Sequence, residues 1–286
     1  MDKLTLKSPA KINLSLEVLR KRENGYHQII SLMQAVDLCD ELVLRKRKSG
    51  IKVGSDNPDC PSDETNLAYK AAFLLLNEEK LNQGVNIHIK KNIPITAGLG
   101  GGSSNAATVL KGMSQLFELK LPYDKLHAMA FQIGSDVPFF LSSGQALVRG
   151  KGEKIAPIDI YRDYWLILVY PGFMVSTGWA YQKVKISLTR KRGEVNLKNL
   201  ENGSVFLQAL RSFRNDLEEE VSKRHPVIQK IKEMLENCGA LKSSMSGSGP
   251  TVYGVFDRKP QAEEVAKKLL RGDWQIFLTQ PIPGNI

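Results

Sequence analysis

Four of the six residues from Ala97 to Gly102 are glycine, and Ser103-Ser104-Asn105-Ala106-Ala107 follows at once. Such a run is costly in chain entropy unless the backbone needs what glycine alone allows, positive φ or close approach to another group. Beyond it, Ala106, Leu110, Met113 and Phe117 recur at helical spacing. Before it, Val85, Ile87 and Ile89 alternate as a strand that ends by Pro94. A strand, a glycine loop and an amphipathic helix in this order aim free N–H groups and the positive helix end at one point, which suits phosphate. The loop is not GxxxxGKS/T, because no lysine follows its last glycine, and it is not GxGxxG, because Ser103 stands where the third glycine belongs. Phosphate held here relies on backbone and serine hydroxyls, and Lys11, just after Pro9 at a strand start, is the candidate for the missing cation.

The rest of the chain alternates strand and helix patterns. Ile12, Leu14, Leu16 and Val18 alternate with polar residues, and Asn24-Gly25 offers a tight hairpin turn. A return strand over Gln28–Val36 and a separate one over Glu41–Arg47 complete an antiparallel N-terminal sheet. Helices are expected over Asn66–Leu81 and Tyr123–Ile133. Tyr164–Tyr170 reads as a buried strand. Helix Val227–Cys238, strands Leu241–Met245 and Thr251–Phe256, helix Gln261–Leu270 and strand Trp274–Thr279 then complete a β-α-β-β-α-β order, the split-βαβ, ferredoxin-like signature. The expectation is an α+β protein of two domains, 1–155 with the glycine loop and 156–286. The basic stretch Lys185–Asn202 carries the least pattern.

Composition narrows the function class. With 42% hydrophobic and 24% charged residues the 286-residue chain is globular. No run of eighteen apolar residues and no signal-like N-terminus occur, so a cytoplasmic location is expected. Cys39, Cys60 and Cys238 are scattered, which argues against a disulfide framework or a zinc site. The net charge of +10 suits nucleic acid or an anionic nucleotide equally, and its densest clusters, Arg45–Lys48 and Arg190–Arg192, are short.

Pro9-Ala10-Lys11-Ile12-Asn13-Leu14, the segment Pro94 to Ser104, and Met245-Ser246-Gly247-Ser248-Gly249-Pro250-Thr251 resemble, in order and spacing, the three signature motifs of the GHMP kinase superfamily. Asn24-Gly25-Tyr26-His27, Gly134-Ser135-Asp136-Val137-Pro138-Phe139-Phe140, Arg149-Gly150-Lys151-Gly152-Glu153 and Asn215-Asp216-Leu217-Glu218 are similar to the branch that acts on 4-diphosphocytidyl-2-C-methyl-D-erythritol. The resemblance spans Lys7 to Phe256. It implies an N-terminal domain of the ribosomal-protein type, and transfer of the terminal phosphate of ATP to the 2-hydroxyl of the methylerythritol unit in non-mevalonate isoprenoid synthesis.

By position, the resemblance makes Asp136 the catalytic aspartate and Lys11 its companion. Pro94, Ile95, Thr96, Ala97, Gly98, Leu99, Gly100, Gly101, Gly102, Ser103 and Ser104 form the ATP segment. Tyr26 and His27 read the cytosine edge, and Tyr181, four residues after Thr177, stacks on the base, with Met33 where relatives often place an aromatic. Lys151 meets the substrate's phosphates and Asn13 the erythritol hydroxyls. Two departures are Thr96-Ala97, where glycine or alanine is common and a β-branched residue stiffens the loop's entry, and Ser135 for a frequent alanine. Magnesium is implied as the partner of ATP, without dedicated protein ligands beyond an approach by Ser104. The implied partners are small molecules, not nucleic acid or membrane, for a monomer or homodimer. A GHMP kinase for homoserine or mevalonate, or a basic nucleic-acid-binding protein, are the alternatives.

Overall fold

The computed structural model describes residues 2–21, 27–185, 198–270 and 273–283. The first half contains β1 (Lys3–Lys21), β2 (His27–Arg47), β3 (Ile51–Ser55), α1 (Leu67–Glu78), β4 (Gly84–Lys90), α2 (Gly101–Leu116) and α3 (Tyr123–Ile133). A short 3-10 turn over Pro138–Leu141, β5 (Gln145–Gly150) and β6 (Lys154–Pro157) follow. The sheet order is β3-β4-β2-β5-β6, with β1 pairing β2 along its length. β2 is one strand of 21 residues where two were expected. The register with β1 moves from Pro9↔Cys39 to Ala10↔Val36, so Asp37 and Leu38 are absorbed in a bulge that bends the strand without ending it. The expected Asn24-Gly25 turn lies outside the described residues; the strands on either side pair from Lys21↔His27 onward.

The second half contains β7 (Trp165–Tyr170), α4 (Thr177–Lys183), α5 (Gly203–Leu210), α6 (Glu218–Arg224), α7 (Val227–Asn237), β8 (Lys242–Met245), β9 (Val252–Phe256), α8 (Lys259–Leu269) and β10 (Gln275–Thr279). Its sheet is antiparallel in the order β10-β7-β9-β8, the ferredoxin-like arrangement that the element order predicts. Within Lys185–Asn202, residues 186–197 lie outside the described residues.

Three apolar clusters hold these layers. One face of the first sheet, with Leu42, Leu44, Val85 and Ile87, packs on Ala71, Leu75, Leu110 and Met113 of the helices. A Cβ on Gly112 would collide with Leu6 and Leu44, so glycine there sets how closely α2 lies on the sheet. The second sheet packs on Ile228, Ile231 and Leu235 of α7 and Val265 of α8. The third cluster joins the two halves: Ile12, Leu14, Leu32 and Val36 meet Leu166, Leu168, Tyr253 and Val255. Ala97 and Leu99 of the glycine loop are buried in that same cluster. After β10 the chain returns to β2, where Asp37 donates its N–H to Gln280 O (3.0 Å) and Ile282 donates to Ala35 O (3.0 Å). No helix among the described residues is long and apolar enough to cross a membrane.

Candidate active site

A cavity of about 890 Å³ opens where the glycine loop, β1, β2, β5, the turn after α3 and α4 converge. Its phosphate-like end is built from main chain. Positive φ falls on alternate residues, Thr96 (54°), Gly98 (78°) and Gly100 (70°), a pattern that turns successive N–H groups toward one concavity. Helix α2 begins at Gly101, within the glycine run, so the N–H groups of Gly101, Gly102 and Ser103 have no acceptor in their own helix. The first intrahelical bond runs from Ser104 N–H to Gly100 O (2.9 Å).

Thr96, Gly98, Gly100 and Ser103 border the cavity, while Pro94, Ile95, Ala97, Leu99, Gly101, Gly102 and Ser104 do not. Ser104 points inward: it is fully buried, and its hydroxyl lies 2.8 Å from that of Ser8, which donates to Asn105 Oδ1 (2.7 Å).

The loop's shape is set from both halves of the molecule. Gly98 O accepts from Lys11 Nζ (3.0 Å) and from the hydroxyl of Ser246 (3.1 Å), and Ala97 O accepts from Thr251 N–H (3.3 Å). A Cβ at Gly98 would strike Ser246 O. In the sequence Ser246 stands out only as part of a motif, with no task of its own. The segment Asn215–Glu218 acts at one remove. Asn215 Nδ2 donates to Met245 O (2.8 Å) and Gly247 O (2.7 Å), and Glu218 Oε2 accepts from Met245 N–H (2.7 Å). Asp216 Oδ2 accepts from Val18 N–H (2.9 Å), tying the same segment to β1.

Lys11 is buried, and its ammonium donates to Asn13 Oδ1 (2.7 Å) and Gly98 O, with Asp136 Oδ2 at 3.7 Å. Burial pushes this ammonium below the ordinary lysine range, and the Asp136 charge works against that shift. The Asp136 side chain is 45% exposed and borders the cavity, so it touches the lysine while staying open to a ligand. Asn13 is committed to the frame: its Nδ2 donates to Ser31 Oγ (2.7 Å), which in turn donates to Ser15 O (2.6 Å).

The other end of the cavity is built from side chains. His27 at the start of β2 and Tyr181 on α4 stack with ring centroids 5.4 Å apart and planes at 28°. Enclosure, and after it the Asp136 charge, push the Tyr181 phenol above its ordinary range, which places that ring within reach of the carboxylate's field. Ile29 and Met33 of β2, Val148 of β5 and Val175 supply apolar wall. Lys151 also borders the cavity, its Nζ 4.8 Å from the Phe131 ring centroid. Thr177 Oγ1 lies 2.9 Å from Ser248 Oγ. Ile29, Val148, Val175 and Gln182 are wall residues that the sequence patterns do not single out. Val148 carries no signal because nothing local marks β5, whereas Ile29 stands two residues from His27 on the same strand face. Tyr26 lies outside the described residues.

Among the described residues no three Asp, Glu, His or Cys side chains gather as a metal cluster. The wall therefore offers a backbone anion cradle, one accessible carboxylate paired with a buried ammonium, and an aromatic pair, all facing one space. That set can hold a polyphosphate, accept a proton and grip a flat ring.

Two family descriptions match the chain: GHMP kinases N terminal domain over residues 66–144 and GHMP kinases C terminal over residues 196–274. A 4-diphosphocytidyl-2-C-methyl-D-erythritol kinase of Acetivibrio thermocellus is 42% identical over 99% of this chain and 100% of its own length. One of the same name from Thermodesulfovibrio yellowstonii is 43% identical over 95% of each chain. The crystal structure of a 4-(cytidine 5'-diphospho)-2C-methyl-D-erythritol kinase superposes with a TM-score of 0.79 at 31% identity, covering 97% of this chain and 99% of the other. A homoserine kinase of Cytophaga hutchinsonii has the same fold, with a TM-score of 0.80 at 20% identity over 100% and 96%.

Proposed function

The chain belongs to the GHMP kinases, and we propose that within that family it moves the terminal phosphate of ATP onto the 2-hydroxyl of 4-diphosphocytidyl-2-C-methyl-D-erythritol. One observation carries the reading: Lys11 and Asp136 stand together on the wall of a single cavity that is also lined by Gly98 and Gly100 of the anion cradle and by His27 and Tyr181. Lys11 bonds the carbonyl of Gly98 in the anion cradle and lies 3.7 Å from Asp136 Oδ2, and that carboxylate borders the same space as Tyr181. An ATP phosphate chain in the cradle and a cytosine against the ring pair bring γ-phosphorus and acceptor oxygen together at the carboxylate. The substrate named by these relatives carries what the other end of the cavity needs, a cytosine for the ring pair and an alcohol for the carboxylate, while ATP fills the cradle.

In this mechanism N–H groups from Gly98 to Ser103 hold the phosphates, and the helix end draws their charge. Asp136 accepts the proton of the tertiary alcohol as the new O–P bond forms and the bond to ADP breaks. Lys11 fixes the carboxylate's direction and offsets negative charge gathering on the phosphoryl oxygens. His27, Tyr181, Ile29 and Met33 hold the base, Lys151 meets the substrate's diphosphate, and the thioether of Met33 packs where an aromatic ring is common. Asn13 orients Lys11 and borders the methylerythritol position.

Magnesium fits as a cation carried on the nucleotide. Ser103 and Asp136 supply oxygen donors beside the cradle, and the lack of a metal cluster among the described residues leaves most coordination to phosphate and water, as this ion prefers. Bound there, it would neutralise negative charge on the nucleotide's phosphates.

The test is ADP release by the purified enzyme with ATP and each of three alcohols. The cytidyl substrate should turn over, and homoserine and mevalonate should not. Turnover of homoserine with none of the cytidyl substrate would overturn the assignment.

A further inference from the structure

Behind the glycine loop lies a buried ion pair that the proposed chemistry does not touch. The Asp40 side chain on β2 is 0% exposed and that of Lys91, just past β4, is 5% exposed. Lys91 Nζ donates to Asp40 Oδ2 (2.6 Å) and to Ile93 O (2.6 Å). Asp40 Oδ1 accepts from the N–H groups of Asn92 and Ile93, both at 2.8 Å. Asn92 Nδ2 adds a bond to Cys39 O (2.8 Å). The segment entering the ATP loop is thus tied, through side chains and main chain alike, to two residues of β2.

Burying two charges gives little net stability, since the desolvation of both offsets most of their attraction. What the arrangement supplies is direction. It fixes residues 91–93, and with them the path into Thr96, whose positive φ leaves that entry little freedom of its own. It also sets a cation under the helix that receives phosphate: a Cβ added to Gly101 would lie 3.1 Å from Lys91 Nζ and 3.0 Å from Ile93 Cγ2. An ammonium beneath a helix start is repelled by the helix dipole and balanced by Asp40.

We infer that Asp40 and Lys91 are positioning residues for nucleotide binding: the pair aligns the segment that enters the cradle without touching the ligand. The inference rests on the assignment of the glycine loop to ATP, and it predicts a split between the two substrates. Asp40→Asn keeps the shape and one acceptor but leaves the ammonium unbalanced. Lys91→Met removes the cation and keeps both backbone bonds to Asp40.

Both variants are to be assayed beside wild type for kcat and for the KM values of ATP and of the cytidyl alcohol, with ATP binding measured separately by calorimetry. Each should raise the KM and the dissociation constant for ATP about tenfold or more, the scale of a small misplacement of a binding group, and leave the KM of the alcohol within about twofold. A lowered melting temperature with both KM values unchanged would make the pair merely structural and overturn the inference. If Asp40→Asn fails to fold, Lys91→Met alone decides by the same split. Failure of wild type to turn over the alcohol, while still binding ATP, would instead strike the proposed substrate and leave this inference standing.

Discussion

The two ends of the cavity are built on opposite principles. The end proposed for phosphate is main chain, and its shape is braced by groups that do not border the cavity: buried Ala97 and Leu99, the Ser246 hydroxyl, and the Asp40–Lys91 pair. The end proposed for the base is side chains, His27 from one half of the molecule stacked on Tyr181 from the other. A polyphosphate is the same in every relative that uses ATP, so a rigid cradle of N–H groups serves it. Selecting one alcohol among many calls for side chains that can be exchanged without disturbing that cradle. The pair proposed to carry the chemistry, Lys11 and Asp136, lies on the same cavity wall.

Substitutions at each end should therefore fail differently. Asp136→Asn is expected to have the largest effect on turnover, a fall in kcat of about 10²–10⁴-fold as for loss of a general base, with ATP affinity little changed by calorimetry. Normal kcat in this variant would remove the carboxylate from the chemistry and leave the two ends without a junction. Gly98→Ala comes next, since its Cβ meets Ser246 O and its φ is 78°. ATP binding should fall by more than tenfold, and the stability should drop by about 1–3 kcal/mol for backbone strain, read as a lowered melting temperature.

Tyr181→Ala should raise the KM of the cytidyl substrate about tenfold, the scale of one lost aromatic contact, without moving that of ATP. Equal rises for both substrates would dissolve the division between the ends. Thr96→Gly is the mildest test: relief of strain at a φ of 54° and the greater freedom of an unfolded glycine nearly cancel, leaving stability within about 1 kcal/mol and the KM of ATP within about threefold.

A pH profile sharpens the junction itself. Because burial lowers the Lys11 ammonium below its ordinary 10.5, the basic limb of kcat should begin at lower pH than an exposed lysine would give. Asp136 holds that value up, so the residual activity of Asp136→Asn should lose its basic limb at still lower pH. A shift toward higher pH would mean that the lysine is not the group titrating.

The parts of this molecule legible in the sequence are those whose cause is local. Glycines in a run, a helix period after them, and the β-α-β-β-α-β order each announce themselves within a few residues, and α3 and the second sheet lie where those patterns place them. The continuity of β2 is hidden because its bulge at Asp37 and Leu38 is fixed by pairing to β1, not by their own propensity. β5 and β6 are short, and β2, which joins β5 to the rest of the sheet, lies more than a hundred residues earlier. Asp40 and Lys91 are 51 residues apart, and neither has a neighbourhood that marks it. Roles for His27, Lys151 and Tyr181 come from likeness to a family, since one histidine after a turn or one tyrosine on a helix carries no such meaning alone.

Lys11 shows how little latitude the centre has. Asn13, Gly98 and Asp136 face its nitrogen, and an ammonium has three protons to give. A planar guanidinium cannot reproduce that tripod, so conserving the charge is not enough. An arginine placed at position 11 keeps the cation and abandons one corner of the tripod, which makes an ostensibly mild exchange as disabling as losing the cation altogether.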